Sequence, residues 1–355
     1  MKRFIPYSLI AAALACGLAS AQTTAYTTPV GYTSQSMEAN KYNLLGLNVL
    51  TPTLVQGTIT SVAFAGTAPN DTTVVTVTGG NFTSVLPASR TCIFESLSAP
   101  QAGTVQDFVT WTDTTLTLPG TLTGLTGSYR VRVAPTLEEV FGLGTAVADS
   151  VIIGGLSATN SDKVWIPNGV GGWTKYYIRT NSPLPGPSNS RQYTNATTNV
   201  YSPNVPLVYT DGILIEKKGT AGTLVISGEV KTTGSNTTIV QGYNPIGITP
   251  PVGLTLFTSG MMGDIAGGLS ATNSDIVWVP IGGGLYTKYW HKTNDLTAPQ
   301  GAVPGRWHTT SNGTLDTGIV SVDVAMTPGI YIQRKSATGT PKLVTFDVPT
   351  GYSSL

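Results

Sequence analysis

Histidine is the side chain best suited to general acid–base catalysis near neutral pH, and this sequence contains two, His291 and His308. A Ser-His-Asp triad needs a histidine within hydrogen-bond reach of both of its partners. Asp295 and Asp316 lie nearby in sequence and serines are plentiful, so a secreted hydrolase built on these histidines stays an alternative. Because no Gly-x-Ser-x-Gly segment places a nucleophile, we favour the interpretation that both histidines are surface residues flanking an aromatic strand. We assign no catalytic residue.

Paired carboxylates are the second kind of reactive group to consider, since glycoside hydrolysis needs two carboxyl groups about 5 to 10 Å apart. Glu138 and Glu139 are adjacent on a predicted helical turn and therefore point apart, which suits a capped surface helix. Asp162 and Asp275 each end an Asn-Ser-Asp segment, where a calcium loop would need more oxygen ligands at alternate positions. A turn in which the carboxylate bonds the backbone is the better interpretation. The sequence therefore predicts no metal site and no cofactor.

Aromatic side chains beside glycine-rich turns are the best candidates for binding. Exposed rings on a rigid sheet stack on sugar faces or anchor a protein interface. The candidate binding residues are Trp173, Tyr177, Tyr286, Trp290 and Trp307. Pairing of these rings across neighbouring strands within the sheet is the alternative.

Two further tryptophans, Trp165 and Trp278, are flanked by valine or isoleucine, and we expect them in the core. Lys175 and Lys288 recur at equivalent places in two similar stretches of the chain. These lysines could brace the aromatic strands or pair with carboxylates, and as markers of a site they are weak.

The elements that would position these residues are β-strands. Apolar residues alternate with polar ones over residues 129–133 and 344–348, which predicts antiparallel strands with one wet face. Glycine- and proline-rich turns separate such runs at short intervals, as in sandwiches and barrels. The convincing helical segment is residues 136–141, where Thr136 and Glu139 form a capping-box pattern. We therefore predict an all-β, sandwich or barrel-like fold with at most one short helix, in which Cys92 is a buried small hydrophobe.

An internal repeat organises the chain. The nonapeptide at residues 154–162 recurs unchanged at residues 267–275, and Val-Trp-x-Pro follows both copies. In the same register, Trp-Thr-Lys-Tyr-Tyr at 173–177 matches Tyr-Thr-Lys-Tyr-Trp at 286–290. Two repeated antiparallel β units follow from this pattern: unit one spans residues 22–231, and unit two spans 232–355. Unit one is interrupted by a threonine-rich inserted β subdomain at 56–136, which has no partner in unit two.

The ordered motifs resemble an uncharacterised family of exported, repeat-containing β proteins found mainly in verrucomicrobial bacteria. They are an opening Tyr-Asn-x-x-Gly at 42–46 and 243–247, Asp-x-Val-Trp-x-Pro, Thr-Lys-Tyr-aromatic, and Gly-Ile-x-Ile before a basic pair. The resemblance covers most of the chain outside the insert and implies export and architecture, with no catalytic residues. The chain departs from the family pattern at residues 209–213, where a Pro-Gly-x-Gly-Phe turn is expected.

The N-terminus has the pattern of a cleavable signal peptide over residues 1–21. Lys2 and Arg3 precede an apolar stretch, and Ala19-Ser20-Ala21 offers the small residues that a signal peptidase accepts. A cut before Cys16 would instead leave a lipid-anchored protein, but Ala13 stands where lipoprotein signals carry leucine. We expect cleavage after Ala21 and a mature chain with no transmembrane helix.

Composition narrows the functional classes. With 10% charged residues and a net charge of +1, the chain has no basic footprint for nucleic acid. We expect an exported, non-catalytic protein of the periplasm, outer surface or extracellular space, with a structural or adhesive role. Its possible partners are other envelope proteins or glycans, and its oligomeric state is open. The alternatives are a carbohydrate-binding module that uses exposed aromatic rings, and the hydrolase built on histidine.

Overall fold

A computed structural model describes residues 29–67, 70–143, 151–169, 171–180, 191–250, 253–293, 306–309, 323–335, 341–349 and 352. The predicted signal peptide at 1–21 lies outside these residues, as do Asp295 and Asp316. The described chain is all-β and antiparallel, which confirms the predicted fold class. None of its helices is long and apolar enough to cross a membrane.

The strands are given in chain order. The first nine are β1 (Val30–Met37), β2 (Tyr42–Leu45), β3 (Thr53–Ala65), β4 (Thr72–Val77), β5 (Cys92–Ser96), β6 (Val105–Asp107), β7 (Thr110–Trp111), β8 (Thr115–Pro119) and β9 (Ser128–Val133). The next five are β10 (Lys163–Pro167), β11 (Trp173–Arg179), β12 (Gln192–Asn195), β13 (Ile213–Glu216) and β14 (Gly222–Glu229). The last seven are β15 (Ser235–Ile239), β16 (Gly242–Gly247), β17 (Ile276–Gly282), β18 (Leu285–Lys292), β19 (Arg306–Thr309), β20 (Gly329–Arg334) and β21 (Lys342–Phe346).

Two five-stranded sheets have the same strand order. One runs β2-β13-β10-β11-β12 and the other runs β16-β20-β17-β18-β19. Trp165 lies opposite Lys175 in the first sheet, and Trp278 lies opposite Lys288 in the second. Each sheet is accompanied by a two-stranded ribbon, β1-β14 or β15-β21. The division of the chain at residue 231 stays a prediction.

The insert folds around its own core. Its strands β3 to β9 make a seven-stranded arrangement in the order β6-β5-β9-β3-β4-β8-β7. The first half of β3 pairs with β9 and the second half with β4, so this strand passes from one layer to the other. Phe94 and Tyr129 stack between the layers with ring centroids 5.9 Å apart. This packing of two open layers is consistent with the sandwich expected from the sequence.

Two short α-helices occur in the described chain: α1 (Phe82–Val85) and α2 (Leu137–Phe141). Helix α2 is the predicted one, and both bonds of its capping box form between Thr136 and Glu139. The expectation of at most one short helix is therefore wrong. A four-residue helix is too short to show a 3.6-residue period, and α1 is fixed by the buried ring of Phe82.

The two five-stranded sheets meet where their repeated glycines lie. A Cβ on Gly46 would stand 1.9 Å from the carbonyl oxygen of Pro328 and 3.1 Å from Cα of Gly247, its repeat counterpart. A Cβ on Gly247 would stand 2.6 Å from the carbonyl oxygen of Tyr209. The glycine that closes each Tyr-Asn-x-x-Gly motif therefore permits close backbone approach between the units.

Candidate binding site

The outer face of the first five-stranded sheet carries an aromatic cluster around Trp165. Residues two apart on a strand share a face, and the register places Lys175 opposite Trp165 on that same face. The Lys175 ammonium lies 3.8 Å from the ring centroid of Trp165, which is cation–π geometry. The rings of Tyr42 and Trp173 meet Trp165 edge-on, at centroid distances of 5.8 and 6.3 Å. We call these four residues cluster one.

Charged groups border cluster one. The indole N–H of Trp165 donates to Glu216 at 3.3 Å. Lys163 and Lys218 approach the other carboxylate oxygen of Glu216 at 3.0 and 2.7 Å. Two ammonium groups therefore share one carboxylate beside the aromatic rings, and Lys175 adds a third positive charge.

The second sheet repeats this arrangement on its outer face. Lys288 lies 4.1 Å from the ring centroid of Trp278, and Tyr243 and Tyr286 meet that ring at 5.5 and 6.2 Å. Tyr331 extends the group, with its ring 5.8 Å from that of Tyr286. We call these five residues cluster two. Gln333 stands opposite Ile276, where Glu216 stands opposite Lys163 in the first sheet.

Trp165 and Trp278 are therefore not core residues. Both are half-buried on the outer faces of their sheets, and the expectation that they lie in the core is wrong. The alternating neighbours Val164 and Val277 fill the core instead. Aliphatic residues on both sides of each tryptophan left open in the sequence which sheet face its side chain takes, and only strand pairing decides it.

A cleft of about 460 Å³ joins the two clusters. Tyr42 of cluster one and Tyr286 of cluster two both line it. The hairpin between β17 and β18 forms one wall and is anchored across the cleft, because the Gly283 N–H donates to Glu38. Ile281 and Leu285 on this hairpin are 61% and 62% exposed, so the wall presents apolar surface to solvent.

The five candidate binding residues fall into two groups. Trp173 and Tyr286 are half-buried members of the clusters. Tyr177, Trp290 and Trp307 are 2%, 2% and 0% exposed, so the expectation of exposed rings is wrong for these three. Tyr177 faces outward, but the turn after β12 covers it, and its hydroxyl donates to Asn199 at 3.1 Å.

Trp290 and Trp307 are buried by cross-strand packing at the β18–β19 pair. The ring of Trp290 lies 5.1 Å from that of His308, its partner in register. Trp307 belongs to the hydrophobic core of the second sheet. This is the cross-strand pairing that the sequence offered as the alternative to ligand binding.

The two histidines are packed against these tryptophans. His308 is 2% exposed, which makes the surface interpretation wrong for this residue. Burial, with the nearby His308, lowers the pKa of the half-buried His291. Both ring nitrogens of His291 are buried and make no hydrogen bond within the described part of the chain. The acid partners considered for a triad, Asp295 and Asp316, lie outside the described residues.

The repeated aspartates hold backbone together. The carboxylate of Asp162 accepts the backbone N–H groups of Ile153 and Lys218 at 2.8 and 2.7 Å and pairs with Lys217 at 2.6 Å. The carboxylate of Asp275 accepts two equivalent backbone N–H groups at 2.9 Å. This is the turn geometry favoured from the sequence. Within the described ranges, no group of three or more His, Cys, Asp or Glu side chains could hold a metal ion.

Glu95 of the insert is the centre of a buried ionic network that the sequence did not indicate. Arg130 binds its carboxylate through two bonds of 2.5 and 2.9 Å, and Lys231, which is fully buried, forms a short ion pair with it. Thr233 and Tyr209 donate to the same carboxylate at 3.2 and 3.1 Å. Thr233, Lys231 and Tyr209 lie 138, 136 and 114 residues from Glu95 in sequence, so the network ties distant parts of the chain together.

The network shifts the pKa of its members. Desolvation works to raise the pKa of Glu95, but Lys231 and Arg130 outweigh it and lower that pKa to about 2. Burial, together with Arg130 and Arg132, lowers the pKa of Lys231 to about 8. The cations around the carboxylate therefore explain the lowered pKa of Glu95, whereas burial is the main cause of the lowered pKa of Lys231.

Asp211 shows the opposite shift. Burial at the junction of the units, with Asp107 nearby, raises the pKa of Asp211 to about 7. The backbone of Asp211 bridges to Ile246 of the second sheet. Asp211 therefore lies where the two five-stranded sheets meet.

Comparison of the chain with protein-family models, with curated proteins and with solved structures found no match.

The sequence reasoning missed Tyr42, Tyr243 and Tyr331 as members of the clusters. A signal for the first two was present, because both open the repeated Tyr-Asn-x-x-Gly motif. Lys175 and Lys288 were noted as recurring, and the structure gives the reason in their contact with the tryptophans. Tyr331 lies opposite Trp278, but the equivalent residue opposite Trp165 is Leu214. Since no aromatic residue recurs at this position, the repeat did not point to Tyr331.

Proposed function

We propose that this protein is an exported, non-catalytic protein of the cell envelope or surface with a structural or adhesive role. The observation that carries the proposal is the duplicated cluster: each five-stranded sheet presents tryptophan, tyrosine and lysine on its outer face. Two copies of one surface on a single chain suit attachment, because simultaneous contacts raise the overall affinity.

The charged side chains support a scaffold interpretation. Three carboxylates are buried, and their oxygens accept hydrogen bonds from backbone N–H groups or form ion pairs: Asp162, Asp275 and Glu95. Groups bound in this way hold strands together and are not available to substrate. The signal-peptide pattern at residues 1–21 supports export.

Cell fractionation tests the location. We expect the protein in the envelope or the medium, with its mature N-terminus at Gln22 by mass spectrometry. A lipid-modified N-terminus at Cys16 would change the mode of attachment but keep the location. Recovery in the cytoplasm alone would contradict the proposal.

Adhesion is tested with beads that carry the purified mature chain and are mixed with cells of the source bacterium. The test variant is Trp165→Ala combined with Trp278→Ala, which removes the centre of both clusters. Phe64→Ala, at a 53% exposed residue of the insert, is the matched control. We expect bead attachment to fall for the test variant and to stay at the wild-type level for the control.

A carbohydrate-binding module is the second candidate, favoured by the partial exposure of the clustered rings. Tyr42 and Tyr243 are 49% and 55% exposed, which leaves ring surface free for sugar faces. A glycan array with the purified chain tests this candidate. Because Trp290 is buried, the informative variants are Trp173→Ala and Tyr286→Ala. Glycan binding that stays at the wild-type level in both variants would count against this candidate.

A further inference from the structure

We infer that the cleft between the units and the two clusters beside it bind an anionic polysaccharide, whose chain crosses from cluster one to cluster two. The inference rests on the proposed adhesive role and adds the chemical class of the ligand.

The shape favours an extended ligand. The cleft of about 460 Å³ is open to solvent, and both Tyr42 and Tyr286 line it. Each of these rings is the start of a cluster that continues across the outer face of its own sheet. A single small molecule would fill the cleft and leave both clusters uncovered, whereas a chain of sugars contacts all three.

The lining suits sugar rings. Tyrosine and tryptophan rings present flat apolar faces for the C–H faces of sugars, and exposed hydroxyl groups offer hydrogen bonds to their edges. Tyr42 is 49% exposed, and the hydroxyls of Ser34 and Ser36 line the same cleft. Ile281 and Leu285 add an apolar wall to the cleft. The surface therefore combines apolar and hydrogen-bonding groups, as a sugar ring does.

The charge favours acidic sugars. Cluster one contains Lys175, and at its border Lys163 and Lys218 share the carboxylate of Glu216. Cluster two carries Lys288, with neutral Gln333 at the position equivalent to Glu216. The whole chain has a net charge of only +1, whereas four lysines lie at these two faces with Glu216 and, in the cleft, Glu38 as the neighbouring carboxylates. Carboxylate or sulfate groups on a polysaccharide complement such a surface.

The site is held in place before any ligand arrives. The Glu38–Gly283 hydrogen bond fixes the β17–β18 hairpin against unit one, and each lysine is already positioned over its tryptophan. A preorganised surface loses less conformational entropy on binding than a mobile one.

The experiment measures binding of the purified mature chain to polygalacturonate by calorimetry. Fully methyl-esterified polygalacturonate has the same sugar backbone without the charge and is the ligand control. We expect the ester to bind at least about tenfold more weakly, because the ammonium groups lose their partners. Affinity for polygalacturonate should fall with added salt. Equal affinity for the two polymers would overturn the assignment of an anionic ligand.

Two double variants test the site. Tyr42→Ala with Tyr286→Ala removes the rings at the cleft, and Lys175→Gln with Lys288→Gln removes the charges over the tryptophans. Each should weaken polygalacturonate binding about tenfold, with circular dichroism showing an intact fold. The matched controls are Phe64→Ala on the insert and Lys342→Gln on β21, and both should bind as wild type does. Unchanged affinity in the folded double variants would overturn the site.

Duplex DNA is a second ligand control: it is a polyanion, but it has no pyranose rings on which the aromatic side chains could stack. Binding to DNA as tight as to polygalacturonate would overturn the polysaccharide assignment, because charge alone would then explain the binding. A protein that attaches to cells through Trp165 and Trp278 but ignores polygalacturonate would overturn this inference alone. A protein confined to the cytoplasm, with intact binding to polygalacturonate, would overturn the proposed location alone.

Discussion

Replacing Glu95 with glutamine should destabilise the fold more than any surface substitution. The carboxylate is 1% exposed and accepts bonds from Arg130, Lys231, Thr233 and Tyr209. Glutamine keeps the shape but removes the charge, so Lys231 and Arg130 would lose their buried counter-ion. Removing one partner of a buried ion pair costs about 3 to 5 kcal/mol.

The pKa of Glu95 gives an independent magnitude. It falls from 4.5 to about 2 on folding, which corresponds to about 3 kcal/mol of interaction with the ionised form. Since the folded-state pKa lies below the unfolded value, this stabilisation is present above pH 4.5 and is lost as the pH falls toward 2. The wild-type protein should therefore lose stability in that window, and Glu95→Gln should lose less there.

The assay is denaturant unfolding followed by tryptophan fluorescence at pH 7 and across the acid range. Glu139→Gln is the matched control, because Glu139 pairs with Arg90 at a 50% exposed site, where an ion pair contributes about 0 to 1 kcal/mol. Combining Glu95→Gln with Lys231→Met should recover part of the loss by removing one unpaired cation. A Glu95→Gln protein within about 1 kcal/mol of wild type would refute the account of the network.

Three further predictions concern the unit junction and the buried thiol. Gly46→Ala should lower the melting temperature measured by circular dichroism, because its Cβ would stand 1.9 Å from the Pro328 carbonyl oxygen, whereas Gly263→Ala, with open space around it, should not. For Asp211, the folded pKa of about 7 exceeds the unfolded 3.8, so wild-type stability should fall as the pH rises from 4 to 7, and Asp211→Asn should flatten that slope in urea titrations. Cys92, which is 1% exposed and has its pKa raised by burial to about 11, should resist a thiol reagent until the protein is unfolded; labelling at the rate of a free thiol would contradict this.

Local sequence patterns predicted several elements of the fold correctly. The alternation at residues 129–133 became β9, and the capping box at Thr136 and Glu139 formed as the sequence predicts. The Asn-Ser-Asp turns also follow from local chemistry, since Asp162 bonds backbone that lies nearby as well as backbone farther along. Such features depend on neighbouring residues, so they are readable without knowing the fold.

Contacts between residues that are far apart in the sequence could not be predicted from local patterns. Glu95 and Lys231 are 136 residues apart, and nothing in either local segment signals the other. Tyr42 joins Trp165 because β2 and β10 both pair with β13, and that pairing is set by the whole sheet.

The sequence by itself determined the strand-rich class, the repeat and the positions of its aromatic residues, because alternation and identity are properties of the chain. The tertiary structure decided which rings are exposed. Trp165 lies between two aliphatic residues and is half-buried under Lys175, whereas Trp290 lies beside the polar His291 and is buried against His308. Burial depends on what packs above a sheet face, and the elements that do so come from distant parts of the chain.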